Sequence, residues 1–517
     1  MIESRAIDNG QDMFLKGSVP KYLIILNAIA AVGYFLLLSF GFSRGNTILF
    51  TLLIAGEVFH LWQLGSFLWT IWDTDYEAPR DASYTPDVDV FITVAGEPVE
   101  IIEETARAAL RMQYAGRKKI FFLNDGLVAK KENWHEVELL AKKLGVECIT
   151  RATPGGAKAG NINNALRATK GALVAVFDAD HVPHADFLEK TVPYFSELDL
   201  GFVQTPQYYK NSEVNDVARG AWDQQALFFG PICRGKNRLN SVTMCGTNMV
   251  IRREAILAVG GMCEESIAED FATGMFMHEQ GWKSVYVPEI LAEGLAPEDF
   301  LSYYKQQFRW ARGGLDVIFR YRFIFRSGLS FSQKLQYLAS VSYFFSGAVV
   351  IMNALIPLLF FFTGIVPFQI STMILAAVFL PYIFLTLYVL QRSCSFSFSF
   401  RSIAFSMAGW TIHLRALFAA LTGEKTSFSV TSKKALTGNF AHLVIPHIVY
   451  IALVLVGMTL GVAREGLSPS VVSNFAWAVL NAVIFTEFIA VALPVSWFEF
   501  PSVTFPRLSR IRTQELS

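Results

Sequence analysis

Long apolar segments occur in two blocks on either side of a long polar stretch. The segments of the first block are residues 22–42 and 48–72, and those of the second are about 338–363, 370–391, 441–463 and 472–497. Each is long enough to cross the roughly 30 Å hydrocarbon core of a bilayer as a helix. The chain is also 53% hydrophobic and only 17% charged, which is too apolar for an ordinary soluble protein. We therefore predict a multi-pass membrane protein with six spans.

Basic residues between the apolar segments predict their orientation, because lysine and arginine favour the cytoplasmic side. They precede the first segment, separate the fourth from the fifth and follow the sixth: Lys16, Lys21, Arg392, Arg401, Arg415, Lys425, Lys433, Lys434, Arg507, Arg510 and Arg512. This pattern predicts cytoplasmic N- and C-termini, a cytoplasmic polar stretch and a place in the cytoplasmic (inner) membrane. Residues 401–421 are apolar too, but His413 and Arg415 interrupt them, so we predict an amphipathic helix lying in the interface.

The polar stretch has the alternating pattern of an α/β domain. Segments typical of strands lie at 88–94, 119–125 and 172–180, and helical patterns lie at 101–113 and 132–144. Such alternation predicts a parallel sheet whose ligand crevice lies at the carboxyl ends of the strands.

Carboxylates end two of these predicted strands. Asp125 ends the second strand, and Asp178 and Asp180, in the sequence FDAD, end the third. Two aspartates one residue apart point to the same side and offer, with a nearby phosphate, the hard oxygen ligands that Mg²⁺ or Mn²⁺ prefers. Such a metal would neutralise the diphosphate of a nucleotide-sugar. A D-x-D pair standing alone is also compatible with solvated carboxylates at a strand-to-loop turn.

Two further motifs offer groups that suit a phosphate and a sugar. GGAKAGNINNAL (155–166) places Lys158 after two glycines, where it would reach a phosphate or a carboxylate, or simply start a helix. YYKQQFRWARG (303–313), if helical, places Gln306, Arg309 and Trp310 on one face. An arginine fork binds diphosphate oxygens, an indole stacks on a sugar ring and an amide bonds hydroxyls. The alternative is an interfacial helix in which Trp310 anchors the chain at the membrane surface.

The order of the motifs is more specific than any one of them. Between residues 20 and 497 the chain contains LNDG, AKAGNINNAL, FDADHVP, FVQTPQYY, CGTN, AEDFATG, GWKSVYVPE, LAEGLAPE, QQFRWARG and FSVTSKK. In this ordered set the chain resembles the family 2 processive glycosyltransferases, and most closely the bacterial cellulose synthase catalytic subunits.

The resemblance implies an α/β GT-A type domain, with a mixed, mostly parallel sheet, inserted between transmembrane helices. It assigns Asp270 as the base of an inverting transfer, with Glu269 as a supporting group. Together with the motif chemistry above, it gives a full set of expected sites. These are Glu97, Asp125, Lys158, Asp178, Gln306 and Arg309 for the nucleotide-sugar, Trp310 for the acceptor, Asp178 and Asp180 for the metal, and Phe428, Val430 and Thr431 for a gating loop.

The chain also departs from the cellulose synthase pattern. Ala268 replaces the usual threonine before the acidic pair, and Ala95 and Gly96 replace the usual aromatic residue and asparagine before Glu97. Asn124 replaces the first of two aspartates, and Ser432 stands where the gating motif usually has a proline. These changes bear most directly on contacts to the nucleoside, and so on the identity of the donor.

These observations predict five regions. They are 1–74 with two transmembrane helices, 75–333 as the cytoplasmic glycosyltransferase domain, 334–400 with the third and fourth transmembrane helices, 401–440 with the interface helix and gating loop, and 441–517 with the last two helices and a basic tail. We expect no cyclic-dinucleotide-binding barrel after residue 500.

The predicted activity is inverting, processive extension of a β-linked polysaccharide, most simply a cellulose-like β-glucan made from UDP-glucose, with transfer of the polymer across the membrane. The expected partners are this donor, the growing polysaccharide, Mg²⁺ or Mn²⁺ and membrane lipid, without nucleic acid. Accessory subunits and oligomeric state stay open. The alternatives are a single-addition transferase acting on a lipid or short acceptor, a synthase of another polymer such as a mannan or a hyaluronan-like chain, and an inactive transporter or carbohydrate-binding protein.

Overall fold

The computed structural model describes residues 12–369, 372–424 and 439–493. Two long helices come first, α1 (Lys21–Phe40) and α2 (Thr47–Thr70), with a short strand, β1 (Ser43–Arg44), between them. The side chain of Asn46 accepts hydrogen bonds from the backbone N–H groups of Ile48 and Leu49, which caps the start of α2. Both helices fall on the first apolar block.

An α/β domain follows α2. Its strands are β2 (Val88–Val94), β3 (Lys118–Asn124), β4 (Glu147–Thr150), β5 (Leu173–Asp178), β6 (Val182–Pro183), β7 (Leu200–Gln204), β8 (Tyr208–Tyr209), β9 (Met249–Arg252), β10 (Lys283–Tyr286) and β11 (Ala292–Gly294). Seven of them form the main sheet in the order β10-β7-β9-β5-β2-β3-β4. All neighbours are parallel except β9, which is antiparallel to both β5 and β7. The mixed, mostly parallel sheet predicted from the sequence is therefore confirmed.

Helices lie between and after these strands in the chain. They are α3 (Val99–Arg111), α4 (Trp134–Leu144), α5 (Ala157–Ala168), α6 (Phe187–Thr191), α7 (Asp216–Leu227), α8 (Cys233–Arg238), α9 (Arg253–Ala258), α10 (Glu269–Glu279) and α11 (Phe300–Phe319). Every residue of β2 is buried, with Val90 and Ile92 in the core on one side of the sheet and Phe91 in the core on the other. A strand buried on both faces has no polar side, which is why all residues of β2 except Asp89 and Thr93 are apolar.

Three predicted strands and two predicted helices lie within one to two residues of β2, β3, β5, α3 and α4. A second, three-stranded sheet has the order β6-β11-β8. It lies beside the carboxyl end of β5, since β6 begins four residues after that strand.

The remaining elements are mainly long helices. They are α12 (Phe331–Ser342), α13 (Ser346–Thr363), β12 (Phe368–Gln369), α14 (Thr372–Ser393), α15 (Phe400–Ala408), α16 (Trp410–Thr422), α17 (Ala441–Glu465) and α18 (Pro469–Ala492). β12 pairs antiparallel with β1, which ties the loop after α13 to the loop after α1. A buried aromatic cluster that includes Phe405, Tyr450, Phe485 and Phe488 packs α15, α17 and α18 together.

Within the described ranges, seven segments are long and apolar enough to cross a membrane: Lys21–Phe40, Thr47–Thr70, Phe331–Thr363, Met373–Ser393, Phe400–Thr422, Ala441–Glu465 and Pro469–Ala492. The protein is a multi-pass membrane protein. The number of candidate spanning segments in these ranges is one more than the six spans predicted. The additional segment is Phe400–Thr422, the predicted interface helix, which breaks at Gly409 into α15 and α16. Its orientation to the membrane stays a prediction, as do the limits of the five regions.

Candidate active site

Side chains from four motifs meet at the carboxyl end of β5. Asp178 is the last residue of β5, and its Oδ1 accepts a hydrogen bond of 3.1 Å from Thr93 Oγ1 on β2, its partner in the register. Its backbone N–H donates to Thr247 Oγ1 at 2.9 Å. Asp178 therefore joins the FDAD motif to the end of β2 and to the CGTN motif.

Asp178 and Asp180 differ in exposure. The side chain of Asp178 is 37% exposed, whereas Asp180 is only 3% exposed and accepts a hydrogen bond of 3.3 Å from the backbone N–H of Leu295. Among the described residues, no group of three or more His, Cys, Asp or Glu side chains is placed to hold a metal ion. Two hard carboxylate oxygen donors, one of them on the partly exposed side chain of Asp178, fit a divalent cation whose other ligands come from a bound phosphate.

Lys158 is at the centre of the site. Gly155 and Gly156 have φ of +139° and +64°, a left-handed turn that glycine adopts without strain and that leads into α5. In α5 the Nζ of Lys158 donates to Asp178 Oδ1 and to the backbone oxygen of Gly246, the latter at 2.9 Å. Burial alone would lower the pKa of Lys158, but the carboxylates of Asp178, Glu269 and Asp270 raise it above its ordinary value. Lys158 is therefore an ammonium surrounded by acids.

Glu269 and Asp270 begin α10 and lie next to this ammonium. Burial and the neighbouring Asp270 raise the pKa of Glu269 to about 7, against the opposing effects of Lys158 and Arg309. Burial also raises the pKa of Asp270, and the backbone N–H of Phe271, which donates to Asp270 Oδ1 at 2.7 Å, works against that rise. Two buried acids side by side cannot both ionise freely, so Asp270, with this hydrogen bond, is the member that more readily holds the negative charge.

Gly246 brings the CGTN loop against Asp270. A Cβ atom at this position, where φ is +81°, would lie 2.7 Å from Asp270 Oδ2. Only a residue without a side chain leaves room for that carboxylate while accepting the hydrogen bond from Lys158. The four motifs GGAKAG, FDAD, CGTN and AED thus converge on one ammonium.

Helix α11 carries the fifth motif and confirms that 303–314 is helical. It begins at Phe300 and is capped by Asp299, whose Oδ1 accepts from the backbone N–H of Ser302 at 2.8 Å. Gln306 is 8% exposed, and its Oε1 has no hydrogen-bond partner within the described part of the chain. Arg309 and Trp310 are half-buried. Arg309 lies near enough to Glu269 for its charge to lower the pKa of that acid.

The start of α10 and the middle of α11 are in close contact. A Cβ atom on Gly313 would lie 2.6 Å from Ala268 Cβ. This approach positions the Arg309–Trp310 face next to the acidic pair. On its other side α11 packs on α16, where Ala311, Leu315 and Ala416 form a small buried cluster.

Asp125 and Glu97 lie at the same edge of the sheet but face other partners. Both carboxylate oxygens of Asp125, which is 7% exposed, accept from the guanidinium of Arg151, at 2.8 Å from Nε and 2.6 Å from Nη2. Glu97 folds back so that its Oε2 accepts from the backbone N–H of Ala95 at 2.6 Å. Any contact of Asp125 with a nucleoside therefore involves the Asp125–Arg151 pair rather than a lone carboxylate.

Sequence reasoning missed Arg151, Thr93 and Gly246. Arg151 directly follows β4, in which Glu147 is exposed and the other residues are half-buried, and polar residues at strand ends were the signal that found Asp125 and Asp178. The gating-loop residues Phe428, Val430 and Thr431 lie outside the described residues. Glu424, the last described residue before them, accepts a hydrogen bond of 3.5 Å at its backbone oxygen from Nη2 of Arg312. Arg312 also forms an ion pair with Asp316 on α11.

Comparison with known families supports this arrangement. The family described as "Glycosyltransferase like family 2" matches residues 86–313, and the family described as "Cellulose synthase" matches residues 257–495. Together they cover the sheet, the acidic pair, α11 and the helices that follow.

Individual relatives agree. The chain is 29% identical over 495 residues to a UDP-forming cellulose synthase catalytic subunit from Pseudomonas fluorescens (strain SBW25), which covers 91% of this chain and 66% of the relative. It is 33% identical over 292 residues to the corresponding subunit from Xanthomonas axonopodis pv. citri (strain 306), covering 55% of this chain and 39% of the relative. The chain thus spans less than two thirds of the length of either relative.

A solved structure of a mannosyltransferase from Pyrobaculum calidifontis, in complex with GDP-Man and Mn²⁺, is 15% identical with a TM-score of 0.47, covering 78% of this chain and 99% of that one. One part of the chain thus matches a family 2 glycosyltransferase model and an overlapping part matches a cellulose synthase model, and over most of its length the chain resembles the catalytic subunits of bacterial cellulose synthases.

Proposed function

We propose that this protein is an inverting, processive β-glycosyltransferase that extends a polysaccharide from a nucleotide-sugar and moves the product across the membrane. UDP-glucose is the first choice of donor and a cellulose-like β-glucan the first choice of product. The observation that carries the proposal is the convergence of Lys158, Asp178, Glu269 and Asp270 beside α11, a helix that leads directly into the second block of membrane helices.

In this proposal Asp270 is the catalytic base. It takes the proton of an acceptor hydroxyl while that oxygen attacks the anomeric carbon of the donor sugar from the side opposite the diphosphate. The bond between that carbon and the diphosphate oxygen breaks, and the nucleoside diphosphate leaves with its electron pair. Glu269, whose pKa is raised to about 7, retains its proton more readily and supports Asp270.

The cationic side chains and the metal pair have a separate task, which is to stabilise the leaving group. Lys158 and Arg309 offer positive charge to the diphosphate. Asp178 and Asp180 would hold Mg²⁺ or Mn²⁺, which supplies further charge neutralisation when bound. Asp125, paired with Arg151, and Glu97 are placed at the expected nucleoside end of the crevice.

The helix α11 would form the acceptor end. Trp310 offers an indole on which a sugar ring stacks, and Gln306 Oε1, which has no hydrogen-bond partner among the described residues, suits a sugar hydroxyl. A polymer with a hydroxyl at every position needs an enclosed path through lipid, because each unsatisfied polar group costs several kcal/mol there. The helices that follow α11 are available for this path. We accordingly place the chain in the cytoplasmic membrane, with its catalytic domain and both termini in the cytoplasm.

The proposal is tested by incubating the purified, membrane-reconstituted protein with a panel of radiolabelled nucleotide-sugars and Mg²⁺ or Mn²⁺. Product size and digestion by linkage-specific glycosidases then identify the polymer, the sugar and the bond. A processive synthase is supported if one donor gives long polymer with the wild-type protein and no polymer with Asp270→Asn. A short or lipid-extractable product would refute processivity and favour the single-addition transferase, and a lack of any product would refute the enzyme assignment.

A further inference from the structure

The ammonium of Lys158 occupies the position that a cation at Asp178 would need. Its Nζ is hydrogen-bonded to Asp178 Oδ1, the oxygen that also accepts from Thr93. The side chain of Lys158 is only 14% exposed, so the ammonium is not a surface group that swings away freely. Its second contact, to the backbone oxygen of Gly246, fixes it between the FDAD and CGTN motifs.

Asp180, the other member of the predicted metal pair, does not form a cation site of its own. Asp180 is almost fully buried and accepts from the backbone of Leu295, and the part of the chain that the structure describes has no cluster of three protein donors for a metal. A divalent ion that approached Asp178 in this state would meet a positive charge already in place. Two cations that share one carboxylate repel each other strongly in a half-buried site.

We propose that Lys158 is a placeholder for the divalent cation. In the free protein it neutralises Asp178 and excludes the metal, and when the metal arrives together with the nucleotide diphosphate the ammonium passes from Asp178 to a phosphate oxygen. This inference rests on the proposed function, since it needs a nucleotide-diphosphate site beside Asp178.

One consequence separates this role from a purely structural one. Loss of the ammonium should strengthen metal binding to the free protein, because Asp178 loses its competitor. The same loss should weaken metal binding in the presence of nucleotide, because the phosphate loses a partner. A side chain that only holds the loop in place would weaken both.

The test is a Mn²⁺ titration of the full chain in nanodiscs, followed by the electron paramagnetic resonance signal of free Mn²⁺, without nucleotide and with saturating UDP. Relative to wild type, Lys158→Met should bind Mn²⁺ about tenfold more tightly without UDP and about tenfold more weakly with UDP. Lys158→Arg, which keeps the charge, should stay near wild type without UDP. Lys119→Met serves as the matched control, because it removes a lysine paired with Glu147 at the exposed edge of the sheet.

The tighter Mn²⁺ binding of Lys158→Met without UDP must also depend on Asp178. A variant that combines Lys158→Met with Asp178→Asn should therefore not bind Mn²⁺ more tightly than wild type. Unchanged or weaker Mn²⁺ binding by Lys158→Met without UDP, or a gain that survives Asp178→Asn, would overturn the placeholder role. Thermal unfolding identifies a variant that has not folded, and Lys158→Gln then replaces Lys158→Met under the same criteria. Failure of the proposed function is distinguishable, because the wild-type protein itself would then show no UDP-dependent Mn²⁺ binding and no sugar transfer.

Discussion

Replacement of Gly246 by alanine should impair catalysis far more than folding. A Cβ atom here would lie 2.7 Å from Asp270 Oδ2, about 0.7 Å short of the 3.4 Å at which ordinary contacts begin. The Nζ of Lys158, at 3.6 Å, would be in normal contact. The carboxylate is the end of a short side chain and rotates away more easily than the backbone moves. The added methyl group is therefore expected to displace the carboxylate of Asp270, the proposed base, rather than the backbone of the CGTN loop.

The magnitude follows from this displacement. A misplacement of about 1 Å at a reacting group costs about 10²-fold in rate, so a shift of about 0.7 Å should reduce kcat roughly 30- to 100-fold. That loss corresponds to about 2 to 2.7 kcal/mol of transition-state stabilisation, at about 1.4 kcal/mol per factor of ten. KM for the donor should change less than about threefold, because the proposed role of Asp270 is on the acceptor hydroxyl and not on the donor. The positive φ of +81° adds about 1–2 kcal/mol of strain to the folded state.

Gly281 provides a matched control for that strain. Its φ is +87°, and a Cβ atom there would have no neighbour within 4 Å. Gly281→Ala should therefore lower the Tm about as much as Gly246→Ala and leave kcat near wild type. The assay is the initial rate of nucleoside diphosphate release by the two variants in nanodiscs, with Tm measured in parallel. If Gly246→Ala keeps a kcat within about threefold of Gly281→Ala, either Asp270 is not crowded by position 246 or it is not the base.

Three further outcomes follow from the site. Asp270→Asn should reduce transfer by at least about 10²-fold with UDP affinity within about threefold of wild type by calorimetry, and near-normal turnover would mean that another group is the base. Trp310→Ala should slow transfer to a growing chain about tenfold more than it slows donor hydrolysis, and equal losses in the two assays would argue against acceptor stacking. Arg151→Met should destabilise the α/β domain by about 3–5 kcal/mol, because Asp125 is left as an unpaired buried charge. The double variant with Asp125→Leu should recover most of that stability in thermal unfolding. No recovery would show that the hydrogen bonds from the Arg151 side chain to the backbone oxygens of Gly155 and Ala157 matter instead.

The parts of the fold that the sequence predicts are those with a long local signal. Largely buried strands such as β2 and β5 are mainly apolar runs, and the membrane helices are longer ones. β4 and β9 carry only four residues each, too few for a period to be recognised, and the antiparallel direction of β9 depends on pairing with strands far away in the chain. The break at Gly409 lies inside an apolar run, so hydropathy alone does not separate a span from an interface helix.

The same distinction holds within the site. Asp178, Lys158 and the acidic pair stand in motifs whose residue types reveal their chemistry. The pairing of Asp125 with Arg151 depends on the adjacency of β3 and β4, which is a property of strand order and not of either segment. The demand for glycine at position 246 comes from a carboxylate that is far along the chain, on α10.

The contact between Gly313 and Ala268 has an evolutionary consequence. The two positions share one small volume, in which Cβ atoms on both residues would be only 2.6 Å apart. A threonine at 268 is compatible with this backbone only while 313 keeps no side chain, and any residue larger than glycine at 313 demands that the two helices separate. Substitutions in descendants of this chain should therefore be unequal at the two positions: position 268 is free to vary among small residues, whereas position 313 has almost no freedom. Divergence at 313 would mark a lineage in which α11 has moved away from the acidic pair.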